Sequence, residues 1–473
     1  MTGWHPGRVH LSGRDRLLAA LFALQLGAAA VFGLVIVDAL GDDDGPSTLV
    51  TAQDPGSGVM GPTATPSASA GTAGTAGTAG TSGSTTTSGG TGATGNETGG
   101  QVAAGPASVA KGEPIKIGAI VTQTGAINFA SSAQGTKAYI DKVNAAGGVN
   151  GRKIVLDLRD DQLDPARGRQ QAQQLLADGV FAFVGWNAPL TENGIVPFLE
   201  SNKVPLVGAY GQQQEYHSRY SFIFSASYGH YGFQMGRYLG EQKVENPGVV
   251  FIGNGSQVAD DGLKEGFRAG LKSTGRDLPE DNVVIVDPTK ASYDDVVTQF
   301  RLSQVDGVAT VLDQTAYNRL QQSMDRQSYS PVHVAVPTFV DPTVRQSAST
   351  EGTFVASDVE LPGSGNAAVK EYEDAVRKAY GAKAQVSYIG SMGWLDAKVF
   401  VDALERMGET ITREKLISTL EATSPGVTGM TAPLTFGPFA KDSRDINRCL
   451  KISKVVQGKA VAVTDWRCDN QPF

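Results

Sequence analysis

From Glu113 to its C-terminus the chain alternates short apolar runs with amphipathic stretches, and this rhythm limits the fold more than any other feature of its 473 residues. Runs such as IKIGAIV (115–121), KIVLDLRDD (153–161), VFAFVG (180–185) and VPLVGA (204–209) have the length and β-branched content of buried strands. The stretches between them have helical spacing. Residues 134–145 offer Ala138, Tyr139, Ile140 and Val143 to a core, and Asp164-Pro165 reads as a helix cap with proline at the first helical position. The pattern continues through a strand at 248–253, a helix near 261–273, NVVIVD (282–287), a helix near 293–304 and GVATVLD (307–313). Strands alternating with helices predict an α/β fold of mainly parallel sheets flanked by helices. About 360 residues is long for one such sheet, so two lobes are expected.

Before residue 113 the composition changes. Residues 17–37 read LLAALFALQLGAAAVFGLVIV, preceded by Arg8, Arg14 and Arg16 and followed by Asp38, Asp42, Asp43 and Asp44. As a helix this segment spans roughly 30 Å, the thickness of a bilayer's hydrocarbon core, so it is expected to be a transmembrane anchor or signal segment. Cleavage after Ala39 is the alternative to retention. The arginines keep a basic tail, 1–16, in the cytoplasm and put the rest on the extracellular side of the cytoplasmic membrane, anchored or secreted. Residues 38–112 are dominated by Gly, Thr, Ser, Ala and Pro and cannot bury a core, so a disordered stalk is expected there.

A formal net charge of -8 with no concentrated basic face argues against nucleic acid as a partner. Five scattered histidines and two cysteines leave no zinc-ligand spacing. There is no G-x-S-x-G, no H-E-x-x-H and no phosphate loop ending in Lys-Ser/Thr, and GNGS at 253–256 lacks the third glycine of a dinucleotide fingerprint. No catalytic residue, metal or cofactor is expected, and the chain is read as a binder rather than an enzyme. The last segment, CLKISKVVQGKAVAVTDWRC, reads as a hairpin turning at Gly458-Lys459. That register sets Cys449 opposite Cys468, and outside the cytoplasm a structural disulfide between them is expected.

The run IKIGAIVTQTG, followed by DKVNAAGGVNGRKIVLDLRDDQLDPARGRQQAQQLLADGVFAFVG, resembles the opening of the leucine/isoleucine/valine-binding family, a branch of type I periplasmic solute-binding proteins that serve ABC transporters. The resemblance is specific over 115–210 and a matter of rhythm beyond. It implies a two-lobed fold joined by three hinge crossings, expected near 225–228, 357–361 and 435–439. Lobe 1 is then 113–226 plus 360–435, and lobe 2 is 227–359 plus 436–473. It also implies a small-molecule ligand held between the lobes and an ABC permease as partner, while the apolar segment 17–37 supplies the attachment to the membrane. A ligand-sensing ectodomain working with a separate signalling partner is the alternative.

In such sheets ligands bind beyond the carboxyl ends of strands. By family position the lobe 1 loops are 122–129, 185–191 and 209–213, and the lobe 2 loops are 254–260, 313–317 and 338–341. They offer Trp186, Tyr210, Tyr228, Tyr317 and Phe339 for packing, and Asn187, Gln212, Gln257, Asp313 and Gln314 for hydrogen bonds. Trp186 could instead fill space between the lobes, and Asp313 could cap the helix that follows it. Where family members usually supply a serine and a threonine to the ligand's carboxylate and amine, this chain has Ala188-Pro189 and Tyr210-Gly211-Gln212. A standard α-amino acid is therefore doubtful as the ligand; an amide, a short-chain acid, an aromatic compound or another nitrogenous solute is as well suited.

Overall fold

The computed structural model describes residues 106–125, 128–253, 257–337, 350–422, 426–444 and 447–472. The tail 1–16, the apolar segment 17–37 and nearly all of the Gly/Thr/Ser-rich tract lie outside these residues, as does Phe339. Among the described residues no helix is long and apolar enough to cross a membrane. Within the stretch read as stalk, β1 (Ser108–Val109) pairs antiparallel with Ile411–Thr412, so the folded chain begins before residue 113.

The first sheet is all parallel, in the order β3-β2-β4-β5-β6, built from β2 (Ile115–Val121), β3 (Ile154–Asp160), β4 (Ala182–Trp186), β5 (Leu206–Ala209) and β6 (Ser221–Phe222). The inner strands are buried on both faces, which is why they read as continuous apolar runs rather than as alternating ones. Helix α1 (Ala130–Ala145) starts four residues before its apolar pattern becomes visible, because its first turn is Ala-Ser-Ser-Ala. Helix α2 (Pro165–Ala177) begins where the Asp164-Pro165 pair indicates, with the Asp164 carboxylate accepting from Ala166 N and Arg167 N. A four-residue turn, α3 (Pro189–Glu192), and α4 (Val196–Asn202) connect β4 to β5.

The chain leaves this lobe after β6 and builds a second one from α5 (Tyr228–Glu241), β7 (Pro247–Phe251), α6 (Gln257–Lys272), β8 (Val283–Ile285), α7 (Asp294–Leu302), β9 (Gly307–Val311), α8 (Gln314–Arg326), β10 (Val332–Ala335) and β11 (Phe354–Ser357). It then returns to the first lobe with α9 (Ala367–Tyr380) and α10 (Tyr388–Met407), followed by β12 (Ile411–Thr412) and α11 (Arg413–Glu421). Helix α10 packs against α1, β4 and β5; the Tyr139 and Trp394 rings meet edge to face, 4.7 Å apart. The last passage adds β13 (Cys449–Val456), β14 (Lys459–Ala462) and β15 (Arg467–Cys468) to the second sheet, whose order is β14-β13-β11-β10-β9-β7-β8. Only the added strands run antiparallel. The chain is thus an α/β molecule of two lobes, each a mainly parallel sheet flanked by helices.

Cys449 and Cys468 are joined by a disulfide. The hairpin expected to turn at Gly458-Lys459 turns one residue earlier, with Val456 paired to Lys459 and both Gln457 (φ 50) and Gly458 (φ 70) at positive φ. Two positive φ values in a two-residue loop make a type I′ turn, whose twist matches the flanking strands. Continued unbroken, that register would set Cys449 opposite Trp466. Val463 N and Thr464 N instead both donate to Ile452 O, and this bulge shifts the pairing by two residues so that Cys449 meets Cys468.

Candidate ligand-binding site

The loops at the carboxyl ends of β4 and β5 run side by side, and their conformation is held by buried carboxyl groups. Asn187 extends β4: its N–H donates to Ile120 O, its C=O accepts from Thr122 N, and its side-chain amide donates to Asp396 Oδ2 on α10 at 3.1 Å. Ala188 N donates to Glu192 Oε1 (2.9 Å) and Gly211 N donates to Glu192 Oε2 (3.1 Å), so one carboxyl group ties the two loops together. Gln212 N donates to Glu215 Oε2 at 2.7 Å, and the Glu215 carboxyl group is a close neighbour of that of Glu192. Glu192, Glu215 and Asp396 are fully buried. Burial pushes Glu192 up to about 8 and Glu215 and Asp396 well above the usual carboxylate range.

An aromatic group gathers at the second of these loops. The Phe129 ring, at the start of α1, is 5.4 Å from Tyr210, and the Tyr210 hydroxyl is 3.1 Å from that of Tyr228, the first residue of α5. Tyr210 and Tyr228 are half-buried. Next to them, fully buried Asp358, just beyond β11, accepts from Ala226 N through Oδ2 (3.0 Å) and from the Tyr388 hydroxyl through Oδ1 (3.0 Å). The Asp358 N–H and the Tyr388 hydroxyl both lie 3.4 Å from the Tyr231 hydroxyl. Asp358 therefore connects two of the passages between lobes, the one before α5 and the one after β11. Burial raises its pKa.

The structure thus brings Tyr210 and Tyr228 together and adds Phe129, which the sequence reading passed over. Trp186 is fully buried with its ring 4.9 Å from Phe183, and Asn187 is turned to Asp396. Gln212 is buried at the base of its loop. In the second lobe Asp313 caps α8, accepting from Thr315 N and Ala316 N, and Gln314 is the first residue of that helix. Tyr317 is buried; its hydroxyl lies 3.1 Å from Thr353 Oγ1 and accepts from Gln321 Nε2, and its ring stacks on His333. The backbone of Gln257 opens α6, while its side chain, like residues 254–256 and Phe339, is outside the described residues. Glu192, Glu215 and Asp358 were passed over because an acid amid polar neighbours reads as solvated.

Residues 114–460 match the sequence profile of the periplasmic binding protein family. The Leu/Ile/Val-binding protein homolog 1 of Brucella abortus (strain 2308) is 38% identical over 91 residues, covering 17% of this chain and 24% of the relative. The chain thus spans about a quarter of the length of the curated relatives it matches. The fatty acid ABC transporter substrate-binding protein from Thermomonospora curvata superposes with a TM-score of 0.64 at 21% identity, over 77% of this chain and 94% of that one. A branched chain amino acid ABC transporter from Thermus thermophilus with bound valine superposes with a TM-score of 0.66 at 16% identity, over 76% of this chain and 98% of that one. At these identities the likeness is one of fold, and it agrees with two parallel-sheet lobes joined by repeated passages of the chain. With the profile spanning most of its length, the chain belongs to the periplasmic binding protein family.

Proposed function

We propose that the protein captures a small, partly apolar solute in the crevice beyond the carboxyl ends of its two sheets and presents it to an ABC permease on the extracellular side of the membrane. The observation that carries this reading is the meeting of Phe129, Tyr210 and Tyr228 at strand ends beside a passage between lobes, where aromatic faces and hydroxyls converge. Lobe 1 is taken as 113–226 plus 360–435, joined by the short strand at Ser108–Val109, and lobe 2 as 227–359 plus 436–473, with residues 17–37 as the anchor or export signal and the chain from 38 to that strand as the stalk. The ligand set includes Trp186, Asn187, Gln212, Gln257, Asp313, Gln314, Tyr317 and Phe339 as well as the tyrosine pair. Of these, the Tyr210–Tyr228 pair has the best claim, since Trp186, Asn187, Gln212 and Tyr317 are covered by their own lobes. The ABC transporter names of similar structures support delivery to a permease.

Native mass spectrometry of the intact protein, incubated with an extract of small metabolites, tests this. One small compound bound per chain, lost on substitution of Tyr210 and Tyr228 by alanine, is the expected result. Protein that stays unliganded throughout would count against solute capture.

A further inference from the structure

Two backbone N–H groups from different strand-end loops, Ala188 N and Gly211 N, converge on the two oxygens of a single carboxyl group. Backbone donors converging in this way form the kind of cradle that holds a ligand's carboxylate in many binding sites. Here the cradle is filled by the chain's own Glu192, and the neighbouring donor, Gln212 N, is taken by Glu215. The groups facing Glu192 are Glu215 on the turn after β5, Tyr210 and Tyr216 on either side of it, and Asp396 on α10. Among the described residues none of these acids is paired with a lysine or arginine. A second carboxylate arriving here would have to displace a buried group or be buried with these donors already taken, with no cation among the described residues to offset its charge.

We infer that Glu192 is a resident carboxyl group standing where a ligand's carboxylate would otherwise be held, and that the protein selects a small nitrogenous solute with no free carboxylate, an amide or an amine. The selectivity claim rests on the solute-capture reading above; the claim that Glu192 fills a carboxylate cradle does not. The fatty acid and valine named for similar structures both carry the group that this chain's loops are no longer free to receive.

The test has two arms. In the first, thermal stability of the intact protein is measured with matched pairs: valine and valinamide, benzoate and benzamide, acetate and acetamide. Amides are expected to bind at least tenfold more tightly than their acids; an acid that binds as well as its amide overturns the selectivity. In the second, acetate is added to Glu192→Ala, which leaves Ala188 N and Gly211 N facing a gap of carboxylate size. Acetate is expected to raise its melting temperature by a few degrees, with no such rise in the wild type or with chloride at equal ionic strength. A folded Glu192→Ala that ignores acetate overturns the cradle. Should that variant not fold, amide resonances of Ala188 and Gly211 in the wild type decide: excess acetate should leave them unmoved, and movement overturns the proposal. If no pair member binds the wild type but acetate rescues the variant, solute capture fails while the cradle stands.

Discussion

Glu192 and Glu215 share a buried site, and desolvation penalises their charged forms, so the folded state keeps protons that the unfolded chain releases near 4.5. A raised folded pKa gives stability that is complete below 4.5 and is lost as pH rises through about 8. His333 acts in the opposite direction. Burial lowers it from 6.5 to about 4, so its contribution is complete above 6.5 and is lost as pH falls through about 4. Because Gln321 Nε2 donates to His333 Nδ1, the other ring nitrogen carries the hydrogen that faces Thr310 Oγ1. Between 6.5 and 8 His333 contributes no slope, while the acid pair does, together with Asp396, and Glu192→Gln should flatten the decline there by about 1.4 kcal/mol per pH unit. Chemical denaturation midpoints across that window measure it; an unchanged slope would show that Glu192 does not titrate there. At this scale the sequence pointed to Tyr210 from its place after a strand and to Tyr228 from its place by the expected hinge, and the two hydroxyls lie 3.1 Å apart. It did not reveal Glu192, because the partners of its carboxyl group are backbone N–H groups of loops whose geometry no side-chain pattern encodes.

Helices α5 and α6 cross on rows of glycine. Cβ atoms placed on Gly266 and Gly270 would lie 2.0 and 2.1 Å from the backbone oxygens of Gly229 and Phe233, so each backbone occupies the space of the other's side chains. Gly266→Val must push the helices apart, at a cost of about 1–3 kcal/mol from overpacking. Urea denaturation should show that loss with little change in the slope, and full stability in the variant would refute the close crossing. Strand positions were legible because both faces of a parallel sheet are buried and the strands are therefore apolar throughout. The terminal hairpin was legible only in part. Its cysteine pairing holds, but through a turn one residue earlier and a bulge at Val463 and Thr464 that periodicity does not signal.

Across the whole molecule, the two lobes are coupled where the chain passes between them, and Asp358 is the residue that joins two passages through Ala226 N and the Tyr388 hydroxyl. Asp358→Ala leaves both donors buried without their partner, at about 1–3 kcal/mol each. If those bonds also fix the angle between lobes, the variant's radius of gyration should vary more with added ligand than that of the wild type, as small-angle X-ray scattering would measure. Identical stability and scattering would remove Asp358 from the hinge. The alternation of strands and helices, with a length too great for one sheet, made the two-lobed architecture readable from the sequence. The hinge bonds were not readable, since they join residues 132 and 30 positions apart across different elements. The central claim, capture of a small solute, is tested most directly by thermal denaturation of the intact protein against amides, urea-like compounds, polyamines, amino acids, short-chain acids and aromatic acids. Binding to the folded state adds about 2.7 kcal/mol at a ligand concentration one hundred times Kd. The account predicts a rise in melting temperature with one class of amide or amine; a well-folded protein that responds to none of these compounds would contradict it.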